Sequence, residues 1–189
     1  MARAARTRDV VLAHAARLFA ERGYGGTTVA DLGAACGISG PALYKHFRSK
    51  YAVLARLLLD ISEQLDAGGR AVVASTPDPH AALVSLVEFH VAFALAERDV
   101  IRVQDRDLDT LTQQDSQAVR RLQRHYAETW VMVMRRAQPD VPERVARLRV
   151  HAAFGLMNST PHMPRRSELR RELVAMALRA LDVRVSATG

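Results

Sequence analysis

Apolar residues recur at three- and four-residue spacing from the first turns of this chain to its last, and the strict alternation of a half-buried strand is nearly absent. A helix brings the same face round about every 3.6 residues, so this period commits the chain to an all-α fold, with about nine helices expected. The 189 residues suffice for a helical bundle to bury a core without disulfides or a structural metal. The single cysteine, Cys36, has no second thiol to pair with, which fits a reducing compartment, and a cytoplasmic location is expected.

Capping signals divide the pattern. A first helix is predicted over 6–22, with Val11, Ala15, Leu18 and Phe19 on one face and Gly23 as its stop. Thr28-Val29-Ala30-Asp31 reads as a capping box with Asp in the place of Glu, opening a short second helix that ends near Cys36-Gly37. Ser39 caps a third, with Pro41 in the first turn, where a missing N–H leaves no bond unmade. Ser49 caps a fourth, whose stripe from Val53 to Leu65 runs to an expected stop at Gly68-Gly69. Ser75-Thr76-Pro77-Asp78-Pro79 cannot continue a helix. Beyond it an apolar helix is predicted over 80–97, a charged short-helix stretch over 98–114, and further helices over 115–137, 143–158 and 167–183. No run reaches the ~20 uninterrupted apolar residues of a membrane span, and the basic start lacks the apolar core of an export signal, so no membrane partner is expected.

The net charge of +7 is unevenly placed: residues 1–56 carry nine cations against three anions, whereas the remainder carries 18 against 17. A basic third on a nearly neutral body is the electrostatic footprint of a protein that meets a polyanion at one end. A general preference for arginine is the competing explanation, so local pattern has to decide.

Residues 28–47 supply that pattern as short helix, glycine turn and short helix. Val29, Leu32, Cys36, Ile38, Leu43 and Phe47 form a small shared core, which leaves the opposite face of the third helix free to enter a major groove. On that side Ser39, Gly40, Ala42 and Lys45 are candidates for base edges or phosphates, and Tyr44 and His46 for phosphates. Lys45 and Lys50 are the chain's only lysines, and both fall here.

The strings Thr27-Thr28-Val29-Ala30-Asp31-Leu32, Gly37-Ile38-Ser39, Leu43-Tyr44-Lys45-His46-Phe47 and Ser49-Lys50 together resemble the tetracycline-repressor family. The resemblance is strong over residues 8–58 and architectural afterwards. It implies a helix-turn-helix head over 1–48 and, over 49–189, a connecting helix followed by a ligand-binding and dimerisation body. It also implies that Thr28, Tyr44, His46 and Lys50 clamp the DNA backbone while Arg3 and Arg6 of the N-terminal arm reach a minor groove. Gly33 stands where the family usually has alanine, at a cost of about 1 kcal/mol in helix propensity. Cys36 reads as a core residue rather than a redox sensor.

The resemblance places an effector cavity among the middle helices. His90 interrupts the apolar run of the helix after Pro79 and offers either a structural hydrogen bond or a polar handle for an apolar effector. Tyr126, Trp130 and Met134 recur at four-residue spacing and share a face, which suits core and cavity lining equally. With Phe93, Phe154, Met157 and Asn158 they make the candidate ligand-binding set for a large, mainly hydrophobic small molecule. The arginines between Arg98 and Arg149 offer a second possibility, an acyl-coenzyme A, but interspersed aspartates favour a solvated mixed-charge surface. Leu169, Leu173, Met176, Ala177 and Leu181 form a last stripe, expected with the preceding helix to pair two copies into a homodimer on near-palindromic double-stranded DNA.

An enzyme finds little support. There is no nucleophile elbow, phosphate-binding glycine loop or His-Glu-x-x-His pair, and no catalytic residue, metal or cofactor is expected. His125 and Glu128 share a helix face, but two ligands do not make a metal site. An architectural DNA-binding protein without an effector is the other alternative.

Overall fold

In this computed structural model the backbone is described for residues 2–183, and side chains for 7–39 and 41–183. Every regular element among the described residues is helical: α1 (Ala2–Arg22), α2 (Val29–Ala35), α3 (Gly40–Leu43), α4 (Lys50–Ser75), α5 (Pro79–Ala96), α6 (Arg98–Asp107), α7 (Gln113–Ala137), α8 (Glu143–Met157) and α9 (Leu169–Ala180), with single 3-10 turns at Leu108–Thr110 and Thr160–His162. The chain divides into two compact units, Met1–Ser62 with Asp99–Arg120, and Glu63–Arg98 with Arg121–Gly189. The expected head, 1–48, lies within the first of these.

In the first unit α1 buries the predicted face: Val11, Ala15, Leu18 and Phe19 are closed off from solvent. Its last carbonyls do not end unpaired. Gly23 N–H donates to Phe19 O at 2.8 Å, and the Arg106 guanidinium, itself held by Asp107, donates to Phe19 O and Ala20 O. The capping box of α2 is complete: Asp31 N–H donates to Thr28 Oγ1 at 3.1 Å, and Thr28 N–H returns a bond to Asp31 Oδ2 at 2.8 Å. The turn after α2 needs the left-handed backbone of Gly37, at φ +65°, a conformation that a Cβ penalises.

The third helix is shorter than the spacing predicts. Regular α-helix stops at Leu43, and Lys45 N–H to Ala42 O and His46 N–H to Leu43 O close tighter turns. Phe47 still shares the buried face of Leu43, its N–H donating to Leu43 O at 3.0 Å, and Ser49 already caps α4 by accepting from Ala52 N–H at 3.0 Å.

In the second unit α4 runs through Gly68-Gly69 to Ser75, correcting the expected stop. These glycines serve close approach: a Cβ on Gly68 would come within 2.2 Å of Phe89 Cζ, and one on Gly69 within 2.5 Å of Tyr126 Cε2. Helix α5 is capped by Asp78, whose Oδ2 accepts from Ala81 N–H at 2.7 Å. At 18 residues it is long and apolar enough, by composition alone, to cross a membrane, closer to that limit than the sequence pattern suggests. Its position gives the apolarity another use, because Leu83, Leu86, Val87, His90 and Val91 are buried and the helix packs on α8 and α9. Of the α9 stripe expected to face a partner, Leu173, Ala177 and Leu181 are wholly covered within their own chain, whereas Leu169 and Met176 are half-buried.

Candidate nucleic-acid interface and effector site

Leu32, Leu43 and Phe47 are the buried anchors of the helix-turn-helix, and Val29, Cys36 and Ile38 close it as half-buried neighbours. Burying a side chain of this size stabilises by roughly 1.5–3 kcal/mol, so Leu43 and Phe47 fix the segment between them. That segment faces outward: Tyr44 is 54% exposed, Lys45 is exposed and His46 half-buried. Ser39 is exposed and accepts from Ala42 N–H at 3.4 Å, and Ala42 is half-buried. Side chains of Arg3 and Arg6, and the surroundings of Gly40, lie outside the described residues.

Two expected phosphate ligands are already engaged inside the head. Thr28 uses its hydroxyl to donate to Asp31 Oδ2 at 2.5 Å and to accept from Asp31 N–H. The Thr28 bonds, with Arg22 nearby, hold the Asp31 carboxyl below its ordinary range. Lys50 Nζ donates to Tyr24 O and Thr27 O, each at 2.7 Å, and lies 4.2 Å from the Tyr24 ring centroid. Two of its three donors are thereby used in tying the α1–α2 loop to the start of α4, leaving one for an anion.

Beside the outward segment lies a cleft of about 410 Å³ lined by Arg8, His46, Arg48, Tyr51 and Arg56 above an apolar floor that includes Phe47. The Arg8 guanidinium stands 5.2 Å from the Phe47 ring centroid. Sequence reasoning missed these arginines. Arg48 was within reach, being the residue between Phe47 and the Ser49 cap, whereas only folding brings Arg8 alongside. Cys36 is half-buried, and burial pushes its thiol up, away from the reactive thiolate.

In the body the fold brings together His90, Phe93, Tyr126, Trp130, Phe154 and Asn158. The His90, Tyr126 and Phe154 rings lie nearly parallel, with centroids 5.0 to 5.7 Å apart. Trp130 stands edge-on to all three. Phe93 tilts against His90 at 5.9 Å. His90 Nε2 lies 3.0 Å from Asn158 Oδ1, which can only accept, so that nitrogen carries the proton and Nδ1 accepts from the Tyr126 hydroxyl at 3.1 Å. Burial holds the His90 pKa down to about 4, partly opposed by the Asn158 bond, and burial pushes the Tyr126 phenol far up. The relay is therefore neutral at physiological pH. Met134 and Met157 are wholly buried in the same apolar core. One polar atom of the cluster is unsatisfied: the buried Trp130 Nε1–H acts on the Tyr126 oxygen but lies outside hydrogen-bond geometry with every acceptor among the described residues.

Four arginines of the arginine-rich stretch bond within their own chain. Arg98 caps Thr160 O and Met163 O, Arg120 pairs with Asp109, Arg135 with Glu143, and Arg147 with Glu128 and Glu143. Glu128 thus faces Arg147, whose bonds hold its carboxyl below the ordinary range.

Comparison with known proteins places both parts. Residues 11–57 match the model for bacterial regulatory proteins of the tetR family, and residues 76–162 match the tetracyclin repressor-like C-terminal domain. The chain is 30% identical over 154 residues to the HTH-type transcriptional repressor KstR2 of Rhodococcus jostii (strain RHA1), covering 81% of this chain and 75% of that protein. Its fold is similar to that of a TetR-family transcriptional regulator from Bordetella parapertussis 12822, with TM-score 0.82 and 26% identity over 95% of this chain and 98% of the other. It is similar also to the ketosteroid transcriptional regulator KstR2 of Mycobacterium tuberculosis, with TM-score 0.75 and 25% identity over 90% and 92%.

Proposed function

Because this chain belongs to the tetR family of bacterial regulatory proteins, we propose that it is a homodimeric repressor that leaves a near-palindromic operator when a small hydrophobic effector enters its body. The observation that carries the DNA half is the contrast within five residues: Leu43 and Phe47 are buried while Tyr44 and Lys45 between them are presented to solvent. A segment so anchored offers its polar side to a groove with little ordering left to do on binding. Ser39, Gly40, Ala42 and Lys45 read the groove, and Tyr44, His46 and the free donor of Lys50 hold phosphates. Thr28 positions α2 through its cap. Arg3 and Arg6 are proposed for a minor groove, and Arg8 and Arg48 add phosphate contacts at the cleft.

The dimer seam is proposed on the outward face of α8. Leu148 is 70% exposed, and Ala152 and Gly155 follow at four- and three-residue spacing on the same exposed face. Small residues there let a second copy of the helix approach closely, and twofold pairing matches the symmetry of a palindrome.

The ring cluster around His90 is proposed as the effector site, and the likeness to a ketosteroid transcriptional regulator supports an apolar effector. Of the arginines proposed for an acyl-coenzyme A, Arg98, Arg106, Arg120, Arg135, Arg147 and Arg149 are bonded within their own chain, so that alternative draws no support from these six. Selection of bound duplexes from a random pool tests the reading. One enriched near-palindrome is expected, with half-sites about one helical turn, roughly 34–36 Å, or a multiple apart. Uniform coating would favour an architectural protein, and no retention at low salt would remove DNA binding altogether.

A further inference from the structure

We infer that the effector's buried part is uncharged and bears an oxygen acceptor, the carbonyl of a ketone, ester or thioester, which takes the indole N–H of Trp130. This rests on the ring cluster's being the effector site. Trp130 is wholly buried, and its single donor acts on the Tyr126 oxygen only from outside hydrogen-bond geometry, with no properly formed bond among the described residues. Buried donors in native proteins are nearly always satisfied, because an orphan loses its hydration with nothing in return. The surrounding ring faces offer an N–H at best a weak interaction. The other orphan among the described residues, Asp66 Oδ1, belongs to a carboxylate that Arg70 already pairs through Oδ2 at 3.0 Å.

The charge of the ligand follows from the same groups. His90 has both nitrogens engaged, one by Tyr126 and one by Asn158, and the remaining contacts shown for the cluster are aromatic. A carboxylate entering this setting would exchange its hydration for the one spare N–H of Trp130 beside an imidazole whose nitrogens are both engaged. A carbonyl oxygen requires one donor, and the cluster has one to spare. Phe93, Phe154 and Asn158 are the partly exposed members, so the cluster opens on their side.

The test uses the full-length protein and one saturated ring skeleton in three forms: trans-decalin, trans-2-decalone and decahydronaphthalene-2-carboxylate. Trp130 is the only tryptophan, so its emission reports on the cluster directly. The ketone is expected to shift that emission saturably and to bind at least tenfold more tightly than the hydrocarbon. Replacing Trp130 with the isosteric benzothienylalanine, which keeps the shape and lacks the N–H, should erase that tenfold preference when binding is followed by calorimetry. Trp130→Phe should do the same if its circular dichroism stays native. Equal binding of ketone and hydrocarbon, a preference that survives loss of the N–H, or tightest binding of the carboxylate overturns the inference and leaves the effector site standing. If none of the three perturbs Trp130 emission or thermal stability, the effector site falls with it.

Discussion

Lys50 reaches back to Tyr24: its ammonium donates to the Tyr24 carbonyl at 2.7 Å and lies 4.2 Å from the centroid of the same residue's ring. A second bond to Thr27 O makes the lysine a clamp on the loop that carries the Thr28 cap. Lys50→Ala takes the charged donor from two part-buried carbonyls, leaving Tyr24 O only the long bond from Thr27 N–H, and is expected to destabilise the head by about 2–3 kcal/mol, read as a lower thermal midpoint. Arg48→Ala should leave the midpoint unchanged and reduce the slope of log affinity against log salt by about 1. An unaltered midpoint in Lys50→Ala would show that the clamp is ornamental.

The anchors and the outward residues of the recognition segment should separate cleanly. Leu43→Ala removes a wholly buried side chain and is expected to cost about 2–5 kcal/mol, abolishing DNA binding through unfolding. Lys45→Ala should keep the stability of the parent and change the preferred bases, measured by repeating the duplex selection. If both variants lose stability alike, Lys45 is a structural residue.

Gly68 and Gly69 should respond differently to alanine. Each substitution gains up to about 1 kcal/mol of helix propensity. At Gly69 the new methyl meets Tyr126, a buried ring hydrogen-bonded to His90, so a net loss of about 1–3 kcal/mol is expected, with altered Trp130 emission. At Gly68 the obstacle is the tip of the half-buried Phe89, which can turn aside, and the change should be smaller. Denaturant midpoints of the two variants decide it.

Stability should fall on mild acidification. His90 stays neutral in the folded protein down to about pH 4, whereas in the unfolded chain it takes up a proton near 6.5. Between those values the unfolded state binds more protons, so stability is fully present above pH 6.5 and is lost as pH falls toward 4. The loss is on the order of 3 kcal/mol. His90→Gln should flatten that part of the profile in urea unfolding at pH 7, 5.5 and 4.5.

Leu148→Asp places a charge on the proposed seam of α8. A shift from dimer to monomer in light scattering is expected, together with weaker operator binding and an unchanged helical spectrum. A variant that stays dimeric would move the seam elsewhere.

Local chemistry was legible in the sequence wherever a bond spans a turn or less. The Thr28–Asp31 box, the Gly37 turn, the Asp78-Pro79 break and the alternation of buried Leu43 and Phe47 with outward Tyr44 and Lys45 all depend on neighbours three or four residues apart, and three- to four-residue spacing is what a sequence displays. The members of the His90 cluster could be named as a group only because the family resemblance implies a cavity among the middle helices, and their arrangement could not be named at all. His90 meets Tyr126 and Asn158 across 36 and 68 positions, and whether those rings stack or stand apart is set by how α5, α7 and α8 pack. Packing also decided that Gly68-Gly69 seats two aromatic rings instead of ending a helix, that Lys50 clamps a loop, and that Leu173, Ala177 and Leu181 of the α9 stripe are covered by their own chain. In each case the winning interaction joins residues far apart along the chain. Its energy comes from surfaces that exist only once the helices have come together.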